Sequence, residues 1–338
     1  MLDRMRSRTP ALCVSSLFLG CSLFAGSASA HDWPQYRGPE RDGISRETGW
    51  KVEGAQENLW QRSVGLGYSA VAVSDGRLYT QGFDKDGQHD VVYCLDPLTG
   101  EELWAYAHPA KIWDKFHGGG TLTTPSVDGS RVYVIDREGT FLCLEAETGA
   151  EIWKQDVKEQ YGVEPPTWGF SASPLVLADK LILNVGKTIA VDKASGKALW
   201  ETRDTGHAYS TPIDFELAGR PVLAIFNGQG LAVFGLAEGK EQFFHDWKTQ
   251  YDINAATPVV IDGKLFISSG YSHGCALLDP ASKEKPVVFE SKEMRTQMSG
   301  CAIWKQHLYG FDEAKLKCID LEGNEKWTER SIANGALT

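Results

Sequence analysis

Short apolar runs separated by turn residues dominate the hydrophobic pattern of this chain. Val91-Val92-Tyr93-Cys94-Leu95 is followed by Asp96-Pro97-Leu98-Thr99-Gly100, then by Glu101-Glu102-Leu103-Trp104. The pattern predicts a strand, a tight glycine turn and a second strand that opens on tryptophan. The unit recurs. Glu145 to Gly149 leads to Trp153, Asp192 to Gly196 leads to Trp200, Gly239 leads to Phe243, and Asp320 to Gly323 leads to Trp327. In each copy the aromatic lies four residues after the glycine. Asp279-Pro280-Ala281-Ser282 is degenerate: it lacks the glycine and reaches Phe289 late. The copies open at positions 96, 145, 192, 235, 279 and 320, a period of 41–49 residues.

A second pattern fills the intervals. A small or polar residue, often before proline, leads into an apolar run, an Asp-Gly-like turn and another apolar run. Thr124-Pro125 to Val134 and Thr257-Pro258 to Ile267 are examples. Each period therefore holds four short strands joined by hairpins, the size of a β-propeller blade. Beyond the N-terminus no stretch carries a sustained helical apolar stripe, which argues against an α-solenoid. One blade leaves both sheet faces bare, and stacking blades about an axis covers them. Trp104, Trp153, Trp200, Phe243 and Trp327 then read as plugs between neighbouring blades, each with a large apolar area.

The expected architecture is all-β, a propeller of four-stranded blades. Six complete blades fall at about 66–107, 118–157, 168–204, 207–247, 252–290 and 296–331. Asn58-Leu59-Trp60-Gln61-Arg62-Ser63-Val64-Gly65 has the sequence of a fourth strand with no blade in front of it. Asn334 to Thr338 echoes Gly120-Thr121-Leu122-Thr123, so a partial seventh blade is expected and the sequence reads as truncated at its C-terminus. An N-terminal strand that completes the last blade removes the open sheet edge. Three parts follow: 1–30, a targeting segment; 31–57, an irregular segment laid on the propeller by Trp33, Tyr36 and Arg37; and 58–338, the propeller.

Arg4, Arg6 and Arg8 precede an apolar run from Ala11 to Gly26 and the small-x-small sequence Ala28-Ser29-Ala30. This is the pattern of a secretory signal peptide cut before His31. The protein is expected to be exported, to the periplasm or cell envelope. A rival reading takes Phe18-Leu19-Gly20-Cys21 as a lipoprotein box, with Cys21 lipidated and the protein peripherally attached to a membrane. The formal charge is −11, with no Lys/Arg cluster, which argues against nucleic acid. Beyond the leader, Cys94, Cys143, Cys275, Cys301 and Cys318 are odd in number and unpaired in spacing. They read as small buried hydrophobes, without a metal site or a disulfide framework.

These repeats resemble the quinoprotein-like β-propeller family, named for pyrroloquinoline quinone (PQQ). Its tag is Ala/Leu-Asp-x-x-Thr-Gly-x-x-x-Trp, best matched by Asp96 to Trp104 and Ala190 to Trp200. The resemblance covers about residues 58–331. Trp33-Pro34-Gln35-Tyr36-Arg37-Gly38-Pro39-Glu40-Arg41-Asp42-Gly43 looks like the leader of a secreted planctomycete-type subgroup. The family implies the propeller but not one function, because the repeat serves both alcohol dehydrogenases and the propeller lipoprotein of the outer-membrane barrel-assembly machinery. A dehydrogenase of this family implies a quinone in the central channel, Ca²⁺ on carboxylate and amide oxygens, and an Asp base. Many also carry a vicinal disulfide, and this chain has no Cys-Cys pair.

No catalytic set and no metal ligands are assigned. The loops before each blade's first strand line the mouth of the central channel. They carry His117, Trp168, His207, Tyr209, Tyr251, Asp252, Asn254 and Arg295, which could converge as a ligand or peptide cup. Alternatively, these aromatics only cap the ring. Trp60, Trp104, Trp153, Trp200, Phe243 and Trp327 are structural. The expected function is a non-catalytic binding or scaffold module for an envelope protein, peptide or glycan, without cofactor. The alternative is a PQQ- and calcium-dependent alcohol or sugar dehydrogenase.

Overall fold

The computed structural model describes residues 31–49, 58–112, 114, 118–332 and 335–337. The signal-peptide and Cys21 readings, and His117, lie outside the described residues. Among those residues the strands form six four-stranded antiparallel sheets, each built from consecutive strands. The first contains β1 (Ala72–Ser74), β2 (Arg77–Asp84), β3 (His89–Leu95) and β4 (Glu102–Pro109). The second contains β5 (Ser126–Asp128), β6 (Arg131–Ile135), β7 (Thr140–Glu145) and β8 (Glu151–Asp156), followed by the short helix α1 (Val157–Tyr161). The third contains β9 (Leu175–Val176), β10 (Lys180–Val185), β11 (Lys187–Asp192) and β12 (Ala198–Glu201). The fourth contains β13 (Ile213–Leu217), β14 (Arg220–Asn227), β15 (Gly230–Gly235) and β16 (Glu241–Asp246). The fifth contains β17 (Val259–Ile261), β18 (Lys264–Ser269), β19 (Gly274–Leu278) and β20 (Val287–Ser291). The sixth contains β21 (Ala302–Trp304), β22 (His307–Asp312), β23 (Lys315–Asp320) and β24 (Glu325–Glu329).

The middle strands of each blade are the apolar runs of the sequence. β10, β11, β14 and β15 are buried on both faces, because a blade lies on either side. The outer strands β8, β12 and β24 face solvent along most of their length.

One irregularity repeats six times. The pairing of third and fourth strands slips by a residue next to the aromatic: between Cys94 and Leu95, Cys143 and Leu144, Ala190 and Val191, Val233 and Phe234, Leu277 and Leu278, and Cys318 and Ile319. A bulge re-aims the side chain beside it. Here it turns Trp104, Trp153, Trp200 and Phe289 towards the turn of the following blade. Trp104 Nε1 donates to Ala146 O (3.0 Å) and Trp200 Nε1 to Leu236 O (3.2 Å), both in the next blade's turn. Cys94, Cys143 and Cys318 pair directly opposite their tryptophans. All five cysteines in the described residues are free and buried. Burial pushes the thiols of Cys94 and Cys143 up to about 11, so they stay protonated fillers.

Segment 58–64 joins no sheet among the described residues, although its side chains behave as a fourth strand. Trp60 Nε1 donates to Pro97 O (3.0 Å), and Arg62 pairs with Glu102 across the same blade.

The leader does more than lie on the propeller; it runs along its axis. Trp33 and Val73 exchange backbone hydrogen bonds of 2.7 and 2.9 Å, and Val127 N donates to Pro34 O (2.8 Å). Gln35 and Tyr36 lie among Pro174, Leu175, Pro212 and Thr257. Arg41 pairs with Asp214 at 2.7 Å. Arg37 Nη2 donates to Asp42 O (2.8 Å) and Cys301 O (2.7 Å). Residues 33–43 thus touch the innermost strand, or the residues just before it, of all six blades. A pocket of about 10 Å³, room for about one water, lies between these residues and Pro174, Leu175, Pro212 and Thr257.

Candidate functional site

Antiparallel order puts two kinds of connection on one face: the second-to-third hairpins, and the loops that carry the chain from one blade to the next. The glycine turns lie on the opposite face. The first of these faces carries the residues expected to form a cup, and they divide into two groups.

One group converges. Trp168 and Tyr209 meet edge-on at 5.7 Å between ring centroids, and His207 stands 6.3 Å from Tyr209. Asp252 joins them over Gly228. A Cβ at Gly228 would stand 3.0 Å from both Asp252 Cβ and His207 N, so only glycine lets the two loops approach. Tyr251, half of it exposed at 53%, meets Tyr271 edge-on at 5.2 Å. Beyond Tyr271, Gly270 packs on Gln297, which brings the exposed Met298 into the same arc. The result is an aromatic rim from the third blade to the sixth. Tyr209 is its buried base, and burial pushes its phenol up to about 12. It therefore stays neutral at physiological pH.

The other group turns inward. Asn254 is fully buried. Its Nδ2 donates to Asn227 O (2.7 Å) and Trp247 O (3.0 Å), and its Oδ1 accepts from Ser269 Oγ (2.6 Å). Its hydrogen bonds fasten the fourth blade to the fifth. Arg295 forks onto Asp312 at 2.7 and 3.0 Å. Lys317 also reaches Asp312, Glu293 and Glu325, at 3.2, 3.0 and 3.1 Å. Burial alone would raise the Asp312 carboxyl, but the hydrogen bonds from Arg295 and the charge of Lys317 hold it below the usual carboxylate range. This network ties the sixth blade together.

A third cluster was not legible in the sequence. Asp90, His108 and Asp136 bring three ligand-type atoms within 4.8 Å of one another, all buried. Arg137 is also fully buried, pairs with both oxygens of Asp90 at 2.7 and 2.6 Å, and lies over Phe83 at 5.0 Å. His108 Nε2 meets Asp136 Oδ2 at 3.0 Å. The guanidinium already satisfies one carboxylate and repels a cation, so the cluster reads as a buried ionic rivet between the first two blades. Asp90, His108 and the adjacent Asp136-Arg137 are spread over 47 positions and belong to no motif. Tyr271 was missed too; its only signal is an aromatic at the tip of the Gly270-Tyr271-Ser272-His273 hairpin.

Six four-stranded blades about a filled axis define a β-propeller. Residues 88–329 match the family of the outer membrane protein assembly factor BamB, and the chain belongs to that family. Among curated relatives it is similar to BamB of Yersinia pestis, with 29% identity over 137 residues, which are 38% of this chain and 34% of that protein. It is also similar to the quinoprotein alcohol dehydrogenase PedH of Pseudomonas putida, with 27% identity over 111 residues, 33% of this chain and 17% of that one. These matches span at most about a third of the relatives' length. Among solved structures, BamB from Moraxella catarrhalis aligns with a TM-score of 0.58 at 17% identity, over 80% of this chain and 76% of that one. The quinohemoprotein alcohol dehydrogenase of Comamonas testosteroni aligns at 0.65 and 13% identity, over 92% and 69%. At these identities the structural likeness speaks for the fold alone.

Proposed function

We propose that this protein is an exported, non-catalytic propeller that binds a protein partner in the cell envelope through its aromatic rim. The observation that carries the reading is the filled axis. Trp33 to Gly43 occupy the space between the innermost strands, so the exposed, ligand-sized chemistry is displaced to the rim. Tyr251, Tyr271, Trp168 and Met298 offer apolar area beside the polar groups of His207 and Asp252, the composition of a protein- or peptide-binding surface. The family supports the same direction, since its name describes an assembly factor of the outer membrane. An envelope location accords with the leader sequence and with those relatives.

The second reading, a quinone-dependent dehydrogenase, has the PedH similarity in its favour. The shaft residues fit it poorly. A quinone between the innermost strands would displace Gln35 and Arg37, and the buried Arg37 guanidinium would repel a divalent cation there.

The test is photo-crosslinking in the native host. A photoreactive residue at Tyr251 or Tyr271 should yield one reproducible envelope-protein adduct, and one at Asp262, on the opposite face, should not. Equal adducts at all three positions, or none at the rim, would overturn the reading.

A further inference from the structure

Neighbouring blades are joined by a clasp. The indoles of Trp60, Trp104, Trp153 and Trp200 lie against the turn glycines Gly100, Gly149, Gly196 and Gly239, and Phe289 lies against Gly323. On the face that carries these turns a second layer of contacts backs the clasp, and that layer differs between the first two junctions.

Between the second and third blades the layer is complete. Asp128 and Arg131 close the first hairpin of the second blade. Lys193, in the turn of the third blade, pairs its ammonium with Asp128. Arg131 Nη1 and Tyr133 Oη donate to Lys193 O, at 2.8 and 3.1 Å. Long side chains thus cross from each blade to the other.

Between the first and second blades shorter residues hold the same positions. Ser74 and Arg77 close the first hairpin of the first blade in the register of Asp128 and Arg131. Ala146 follows Glu145 in the next turn, as Lys193 follows Asp192. Tyr79 Oη and Trp104 Nε1 still reach Ala146 O, at 3.2 and 3.0 Å. No ammonium crosses, and a cleft of about 300 Å³ is left between the blades, the size at which ligand pockets begin. Arg77, half-buried in its wall, has a guanidinium with neither an ion pair nor a hydrogen bond among the described residues. The carboxylates of Asp75 and Glu147, which also line the cleft, are equally unpartnered among those residues. Glu145 differs, because its carboxylate accepts from the Thr148 hydroxyl. Asp32, behind the hairpin, accepts from Ser74 Oγ (3.1 Å) and Asp75 N (3.2 Å).

We infer that this cleft binds a basic amino acid, with its carboxylate on Arg77 and its ammonium groups on Asp75 and Glu147. A guanidinium takes a carboxylate through two parallel N–H···O bonds, which gives the ligand an orientation as well as a charge partner. One unpaired cation beside two unpaired anions calls for a ligand with the reverse set: one carboxylate and two ammonium groups. Ser130 Oγ, also in the lining, offers a further hydroxyl. The site lies on the face opposite the aromatic rim and stands whether or not the rim binds a protein.

The test is calorimetric titration of the mature protein with L-lysine, with cadaverine, which lacks the carboxylate, and with L-norleucine, which lacks the second ammonium. L-Lysine should bind saturably, and each analogue about tenfold more weakly or worse, since each loses a charge-assisted contact. Arg77→Met should weaken L-lysine binding by a similar factor and leave the melting temperature unchanged, because the guanidinium supports no contact in the fold. Ala146→Lys, which supplies the ammonium found at the next junction, should abolish binding without lowering the melting temperature. Absence of saturable L-lysine binding overturns the inference. So does cadaverine binding as tightly as L-lysine, the behaviour of a merely acidic surface, or L-lysine binding that is unchanged in Arg77→Met.

Discussion

The indole of Trp60 covers the α-carbon of Gly100: a Cβ built there would stand 2.5 Å from the ring. Gly100 also has φ +73°, in the left-handed region. Glycine is therefore demanded twice, by the turn and by the neighbour. Gly76 separates the two demands, since it has φ +69° and nothing within 4 Å. Gly76→Ala should cost only the backbone strain, about 1–2 kcal/mol. Gly100→Ala should add an overpacking cost of about 1–3 kcal/mol. Urea unfolding of the two variants compares them directly, and equal losses would contradict the clasp.

Trp104 makes the same contact in its most buried form. Trp104→Ala should destabilise by about 3–5 kcal/mol. Trp104→Phe should recover much of the apolar area but leave Ala146 O without its indole donor, a loss of about 1 kcal/mol. Thermal unfolding of the pair checks the order.

The Asp90–Arg137 pair behaves differently from a surface ion pair. Both residues are fully buried, so removing one partner strands the other charge. Asp90→Asn should cost about 3–5 kcal/mol, whereas the double change Asp90→Leu with Arg137→Met should be close to neutral. A double-mutant cycle showing simple additivity would contradict this.

Asp312 fixes part of the acid response. Its folded carboxyl titrates below the unfolded value of about 3.9. Its contribution is therefore complete above that value and is lost as pH falls through the lower folded one. The gap in melting temperature between the protein and Asp312→Asn should be full at pH 7 and should shrink in strongly acid solution. A gap that widens with acid would reverse the sign.

The fold was legible because a blade is local. Asp96, Gly100 and Trp104 lie within one hairpin, and their spacing states the strand, the turn and the aromatic. The partner of each tryptophan was not legible, because it lies in the next repeat and depends on how blades stack. The rim was half legible. Trp168, His207, Tyr209, Tyr251 and Asp252 do gather on one face, but Asn254 and Arg295, drawn from the same loops, turn inward. Asn254 does so because the carbonyls of Asn227 and Trp247 and the hydroxyl of Ser269 meet at that point, and no spacing in the sequence records it. The leader's aromatics signalled packing. That they pack against the innermost strands, with Arg37 reaching Cys301, depends on how the blades are arranged around them.

The central proposal is that residues 33–43, lying against the innermost strands, leave no place for a quinone and that partner binding falls to the rim. The most direct measurement is calorimetric titration of the mature protein with PQQ and CaCl2, followed by a dye-linked assay with primary alcohols and sugars. The account predicts no saturable heat and no dye reduction. Stoichiometric binding of PQQ together with alcohol- or sugar-dependent dye reduction would contradict it.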